Sequence, residues 1–427
     1  MSFLQRHSWI SISILGIVLR LAYAFWLGEE LLAGDAFYYV DTAKAILAGE
    51  SYLPEWPPAL PYYLSIFGGI FGKTLWSWIS AMLVLYLLFN WMWNETASLF
   101  VAKKWVNVGA LLFAIMPAFI HYSVAPLSQL PLAIVILALV GLLYKNGASW
   151  KMGAWLALGV LFRSGTFSML PLFLIYLPLK KNSRELLPFF LSFFFLIGIW
   201  QYKSWQMTDR FVWINDFNSY NLYVGNTPWT PDYKTWWLGS HDERGNEAFA
   251  GYYQELDSIR ALPVERQSLA FGLETANYFE SHPFKFIHRS LNRFRTFFAF
   301  DSYSGARIYP KNRTIGIVTL LIDGGIYCLL GLGFILALGR TNTIRKYQMN
   351  YILPALIFLF ILPYLLAFSH PTYHLPLIPI FAIYSLGLWQ EKGHKSFFIK
   401  PSLYRILGIG LFIFIQLEWL WQMKGSL

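Results

Sequence analysis

A single cysteine, Cys328, stands in the 427 residues, inside an apolar run. That excludes a disulfide framework and offers no zinc-ligand spacing. Charge is scarce too: charged residues make up 13% of the chain against 56% hydrophobic and 19% aromatic, a balance no water-soluble globule of this length has. The chain is therefore expected to be an all-α, multi-span membrane protein. It has no Walker A loop, no GxGxxG opening a helix after a strand, and no acidic cluster with calcium or magnesium spacing. Internal repeats are missing as well, which disfavours the inverted-repeat plan of many transporters. The net charge of +10 does not mark a nucleic-acid partner, because the basic residues sit mainly in short loops between apolar runs.

What the chain does have is apolar length. Eleven runs that span or nearly span a bilayer fall at 9–27, 74–93, 105–121, 126–144, 151–163, 165–179, 186–204, 314–339, 351–368, 371–390 and 403–422. Threaded in alternation from a cytoplasmic N-terminus, they put Lys103, Lys104, Lys145, Lys151, Lys180, Lys181, Arg184, Arg340, Arg345, Lys346, Lys392, Lys395 and Lys400 inside. Of the short outside loops only one carries a cation, Arg163, as the positive-inside rule requires. The expectation is a multi-pass protein of the cell inner membrane, with the long loops 28–73 and 205–313 extracytoplasmic. It divides the chain into an N-terminal transmembrane module over 1–204, a loop domain over 205–313 and a C-terminal transmembrane module over 314–427. Ala22-Tyr23-Ala24 fits a signal-cleavage pattern, but the odd span count keeps the first run as an anchor. Start signals predict three helices in the long loop, near 243–260, 263–280 and 283–298.

Asp35 follows the first run and precedes Phe37, Tyr38 and Tyr39. It suits a helix N-cap. It equally suits a catalytic carboxylate at the rim of a membrane-embedded cavity, where aromatic shielding would raise its pKa toward a useful range for a base. Asp41, six residues on, falls on another helix face, so the two are not a paired-carboxylate site. Lys285, Arg289 and Arg293 repeat every four residues as one basic stripe, with Phe284, Ile287, Leu291, Phe294 and Phe298 largely opposite. This is the pattern of an interfacial helix that attracts lipid headgroups or binds phosphate. Arg163 at the end of the fifth run is either functional or snorkelling. His370 and His374 have a metal-compatible spacing, but Pro371 breaks the helix between them and no HExxH acid is present, so no metal site is expected. They are read instead as polar groups lining the same cavity as Asp35.

Five stretches in order carry a resemblance: Gly34-Asp35 through Pro57-Pro58-Ala59-Leu60-Pro61, Leu127-Ser128-Gln129, Leu158 to Pro171 with Arg163, Asn221 to Pro228, and Tyr373-His374-Leu375-Pro376-Leu377-Ile378-Pro379. Together they resemble the GT-C membrane glycosyltransferases, the group that includes protein O-mannosyltransferases and bacterial lipid A sugar transferases. The resemblance implies the GT-C fold and a polyprenyl-phosphate sugar as donor. It also implies an inverting transfer outside the cytoplasm to a lipid, glycan or protein acceptor, and no cofactor. Asp35 takes the role of catalytic base. Arg163, Arg289, Arg293 and His374 are the candidates for the donor phosphate, and Tyr38, Tyr39, Trp56 and Tyr373 for the sugar platform. The chain departs from the family at Ala36, where a second acid is common, at Gln129 in place of Glu, and at Thr372 in place of the Arg of an Arg-Tyr pair. It also lacks an acidic pair over 121–128, which implies a metal-independent enzyme. The rival expectation is a transporter or flippase for lipid-linked sugars, or a relative of O-antigen polymerases and ligases.

Overall fold

Proline and arginine set the architecture as much as apolar length does. The computed structural model describes residues 8–338, 349–392 and 402–423, and among them every regular element is helical. The first part of the chain forms α1 (Ser8–Leu27), α2 (Asp35–Ala48), α3 (Ala59–Phe71), α4 (Leu75–Ala97), α5 (Lys103–Ile115), α6 (Pro117–Tyr122), α7 (Gln129–Tyr144), α8 (Ser149–Phe162), α9 (Leu170–Lys180) and α10 (Leu186–Thr208). Region 205–313 adds α11 (Phe217–Val224), α12 (Trp237–Ser240), α13 (Ala250–Arg260), α14 (Val264–Ser281), α15 (Pro283–Phe297) and α16 (Tyr303–Ile308). The chain then continues through α17 (Arg313–Ala337), α18 (Met349–Leu366), α19 (Ile378–Lys392) and α20 (Leu403–Met423).

Among the described residues five helices are long and apolar enough to cross a membrane, built on α1, α4, α10, α17 and α20. This is compatible with a membrane protein. The other six expected runs are helical but shorter or interrupted. Run 105–121 breaks between α5 and α6 because Met116, before Pro117, takes an extended conformation. Runs 165–179 and 371–390 begin as 3-10 turns, Ser164–Met169 and Pro371–Leu377. Of the loop cations that set the expected orientation, Arg340, Arg345, Lys346, Lys395 and Lys400 lie outside the described residues.

The centre of the molecule is α7, which buries nearly every side chain because it is apolar all round. It packs on α4, on α8 and on the 3-10 turn before α19. Arg20 stabilises the break in the third run. Fully buried in α1, it donates to the carbonyls of Phe113, Ala114 and Phe119 and to its own Gly16 carbonyl, and lies 3.6 Å from the centroid of the Tyr86 ring. Pro117 frees carbonyls at the α5–α6 break, and one guanidinium satisfies them.

Region 205–313 has its own small core, formed by Tyr223, Val224, Leu238, Tyr252, Leu256, Ile259 and Phe271. Two of its three expected helices, α14 and α15, end within two residues of the expected bounds, while α13 starts at Ala250 after a turn capped by Asn246. The polarity of α15 is inverted. Arg289, Asn292, Arg293 and Thr296 point into the protein, while Phe284 is 85% and Leu291 62% exposed, so the apolar face is the outer one. Of the basic stripe only Lys285 stays outside, paired to Asp232 at 3.8 Å.

Candidate functional site

Gly34 has φ +63 and ψ −137, a conformation that side chains rarely adopt, and it turns the chain from the end of α1 into α2. Gly34 therefore occupies the cap position itself, and Asp35 is the first helical residue, where the helix dipole favours negative charge. The carboxylate faces a cavity of about 1100 Å³ between region 205–313 and the helices beneath it. Asp35 is thus open to solvent at the cavity surface while protein surrounds it on the other sides. Burial pushes its carboxyl above the ordinary range; the Arg163 guanidinium and a backbone N–H pull the other way.

Arg163 follows the last turn of α8 in an extended conformation, which aims it into the same cavity. Its guanidinium lies 4.2 Å from the centroid of Tyr373 and 5.4 Å from that of Tyr364, and Nη1 donates to Ser128 Oγ at 3.4 Å. Aromatic faces and one hydroxyl hold the group in place without neutralising it. Trp56 comes from the Pro-rich turn between α2 and α3. It stacks on Tyr38 at 5.5 Å and meets Phe217 edge-on, making an aromatic wall near Asp35. Tyr39 is buried behind that wall, edge-on to Trp56 at 5.4 Å.

The cavity thus collects Asp35, Arg163, Tyr38, Trp56 and Tyr373 from three distant stretches of chain. It does not collect Arg289, Arg293 or His374. Arg289 donates to the carbonyl oxygens of Thr227 and Thr230 and to Asp232. Arg293 donates to the carbonyls of Leu365 and Leu366 at the end of α18, to that of Gly225, and to Asn226 Oδ1. Burial, with the charge of Arg289 adding to it, pushes Arg293 down to about 9. The motif Asn221 to Pro228 is therefore split in use. Asn221 lines the cavity, while Gly225 passes so close to the Ala367 carbonyl that any Cβ would collide with it. His374 Nδ1 donates to the Phe297 carbonyl at 2.8 Å, and its ring stacks on Tyr327. His370 does line the cavity, edge-on to Trp236, but burial and the two neighbouring histidines lower it to about 3, so it is neutral.

Lys234, His241, Arg260 and Arg307 line the cavity with no motif to announce them, and Glu55 joins them from the Pro-rich turn. Glu55 is a second cavity acid, its carboxyl raised by burial against the opposing charge of Arg260. Among the described residues no group of three or more His, Cys, Asp or Glu side chains is gathered in metal-binding geometry. The chain matches no known protein family, no curated protein and no solved structure. The chemistry of the cavity therefore carries the functional argument alone.

Proposed function

We propose that the chain is an integral-membrane glycosyltransferase of the GT-C type, moving a sugar from a polyprenyl-phosphate donor to an acceptor hydroxyl with inversion. The observation that carries this is a cavity-facing acid, Asp35, sharing a large aromatic-walled cavity with Arg163, a cation whose charge acts on that acid and that forms no ion pair among the described residues. In the reaction Asp35 takes the proton of the acceptor hydroxyl, and the resulting oxygen attacks the anomeric carbon. The bond from that carbon to the phosphate oxygen breaks on the opposite face, and its electron pair leaves with the polyprenyl phosphate. A carboxyl raised above its usual range is a stronger base than an ordinary aspartate. Arg163 offsets the charge that develops on the leaving phosphate, often the largest single contribution to such a rate. Tyr38, Trp56 and Tyr373 offer aromatic faces to the sugar. By the distribution of Lys and Arg in the sequence, the cavity is assigned to the extracytoplasmic side.

The test incubates purified wild type and Asp35→Asn in detergent with a panel of polyprenyl-phosphate sugars plus membrane extract as acceptor, following donor loss by mass spectrometry. Consumption of one donor by wild type and not by the variant supports the assignment. Equal consumption by both removes Asp35 as base. No consumption of any donor favours the transport alternative, since transport has no meaning without a membrane.

A further inference from the structure

Beside the large cavity lies a second pocket of about 340 Å³, lined by Glu30, Tyr303, Ala306, Arg307, Pro310 and Lys311. Tyr303, Ala306 and Arg307 line both, so α16 is a wall that the two share, and the small pocket forms an outer side window against that wall. The rim of the window ties the end of α1 to the turn after α16: Lys311 Nζ pairs with Glu30 at 3.1 Å and donates to the Trp26 carbonyl at 3.4 Å. Next to it on α1, Phe25 is 80% and Trp26 39% exposed, on a helix apolar enough to cross a membrane.

Arg307 sits at the inner edge of this window, half-buried. Its Nε and Nη2 both donate to one acceptor, the Tyr303 hydroxyl, at 3.2 and 2.9 Å. No ion pair joins it to any carboxylate among the described residues. The nearby buried acids do not reach it: Asp301 Oδ1 accepts from the Tyr303 backbone N–H and Asp323 Oδ1 from that of Ala118, and neither forms an ion pair with Arg307. A phenol orients the guanidinium but leaves its charge whole, and a half-buried, unpaired cation is costly unless an anion joins it. The Tyr303 hydroxyl lies 3.8 Å from where a Cβ on Gly34 would stand, so this cation is anchored beside the turn that presents Asp35. Arg163 belongs to a separate cluster with Tyr364 and Tyr373. Of the cavity cations, Arg163 and Arg307 are thus the two arginines held by tyrosines, in separate clusters.

We infer that Arg307 and Tyr303 form a second anion site, which takes the phosphate headgroup of a membrane lipid entering through the side window with its chains lying along α1. Resting on the transferase assignment above, this makes the acceptor an anionic lipid whose headgroup hydroxyl reaches Asp35, while the donor phosphate occupies Arg163. A soluble protein or neutral glycan acceptor has no use for such a site.

The experiment is native mass spectrometry of the full chain in an uncharged detergent, with farnesyl phosphate as probe, on wild type, Arg307→Gln, Arg307→Lys and Arg163→Gln. The expected result is two copies bound to wild type, one to each Gln variant with at least a tenfold loss at the affected site, and two to Arg307→Lys. One copy on wild type, or two retained by Arg307→Gln, overturns the proposal. So does equal binding of farnesol, which lacks the phosphate. Displacement of the second copy by millimolar inorganic phosphate would identify a free-phosphate site and overturn the lipid source. Melting curves of the variants separate misfolding from lost binding. Because binding is read without turnover, failure at Arg307 is distinct from failure of Asp35→Asn to abolish donor consumption.

Discussion

The inner face of α15 and the wall of the cavity both take arginines out of water, and they use them oppositely. On α15, Arg289 and the terminal nitrogens of Arg293 are spent on backbone carbonyls and on Asn226 and Asp232, locking region 205–313 onto the end of α18. In the cavity, Arg163 and Arg307 are steadied by tyrosines and a serine and form no ion pair with a carboxylate among the described residues. A buried guanidinium whose terminal nitrogens are committed to the fold has none left to reach a ligand. One whose only neighbours are π faces and hydroxyls keeps its charge for whatever enters. The periodic arginines are thus structural, and the isolated ones face the place where chemistry is possible.

The widest separation between the two regions is expected from Arg293→Met. It leaves the Gly225 carbonyl and Asn226 Oδ1 unpaired, since Ser290 and the Asn226 amide still reach the Leu365 and Leu366 carbonyls, and should cost about 2–6 kcal/mol of stability, read as early loss of monodisperse protein on heating in detergent. If Arg293→Met melts like wild type, the structural assignment of α15 fails. Asp35→Asn should leave the melt intact or slightly improved while lowering turnover by about 10²–10⁴-fold. The sign for stability follows from the raised carboxyl: the folded state holds its proton more tightly than the unfolded one, so Asp35 costs stability once pH exceeds its unfolded pKa. Asparagine removes that cost, and a lower melting point at neutral pH would contradict it.

Arg163→Gln should lower turnover by about 10²–10³-fold with little change in melting, the reverse of Arg293→Met. It also makes a distinct pH prediction. Wild-type activity should rise with pH as Asp35 loses its proton, and removing the opposing Arg163 charge should move that rise to higher pH. An unchanged pH profile would place the two groups out of electrostatic contact. The smallest effect is expected from Gly34→Ala, which forces a side chain into the left-handed region at a cost of about 1–2 kcal/mol. By tilting Asp35 it should reduce turnover about 10²-fold or less. A variant as active as wild type would show that Asp35 does not depend on that turn.

Much of the helical outline was legible, because apolar length and proline placement are local properties. The helices at 264–281 and 283–297 follow from their own residues, whereas run 105–121, expected unbroken, splits at Met116-Pro117. The direction in which α15 faces did not follow. Its periodicity marks two faces, but which one turns inward depends on carbonyls at Gly225, Leu365 and Leu366 that other segments bring to it. Arg20 was equally opaque: a charge in an apolar run carries no hint of the carbonyls, about a hundred residues away, that it satisfies. Asp35, Tyr38 and Trp56 were singled out because an acid beside aromatics and paired prolines is unusual within a short window. Arg307 stands alone between Ala306 and Ile308 and gave no such signal.

By itself, the sequence determined that this is a helical, membrane-compatible chain with an acid placed just after its first apolar helix, since composition and short-range pattern suffice for that. Only the tertiary structure decided which arginines are consumed by the fold and which confront the cavity with Asp35. The physical reason is that a guanidinium's role depends on which acceptors lie within about 3 Å of it, and those acceptors arrive from residues remote in the chain.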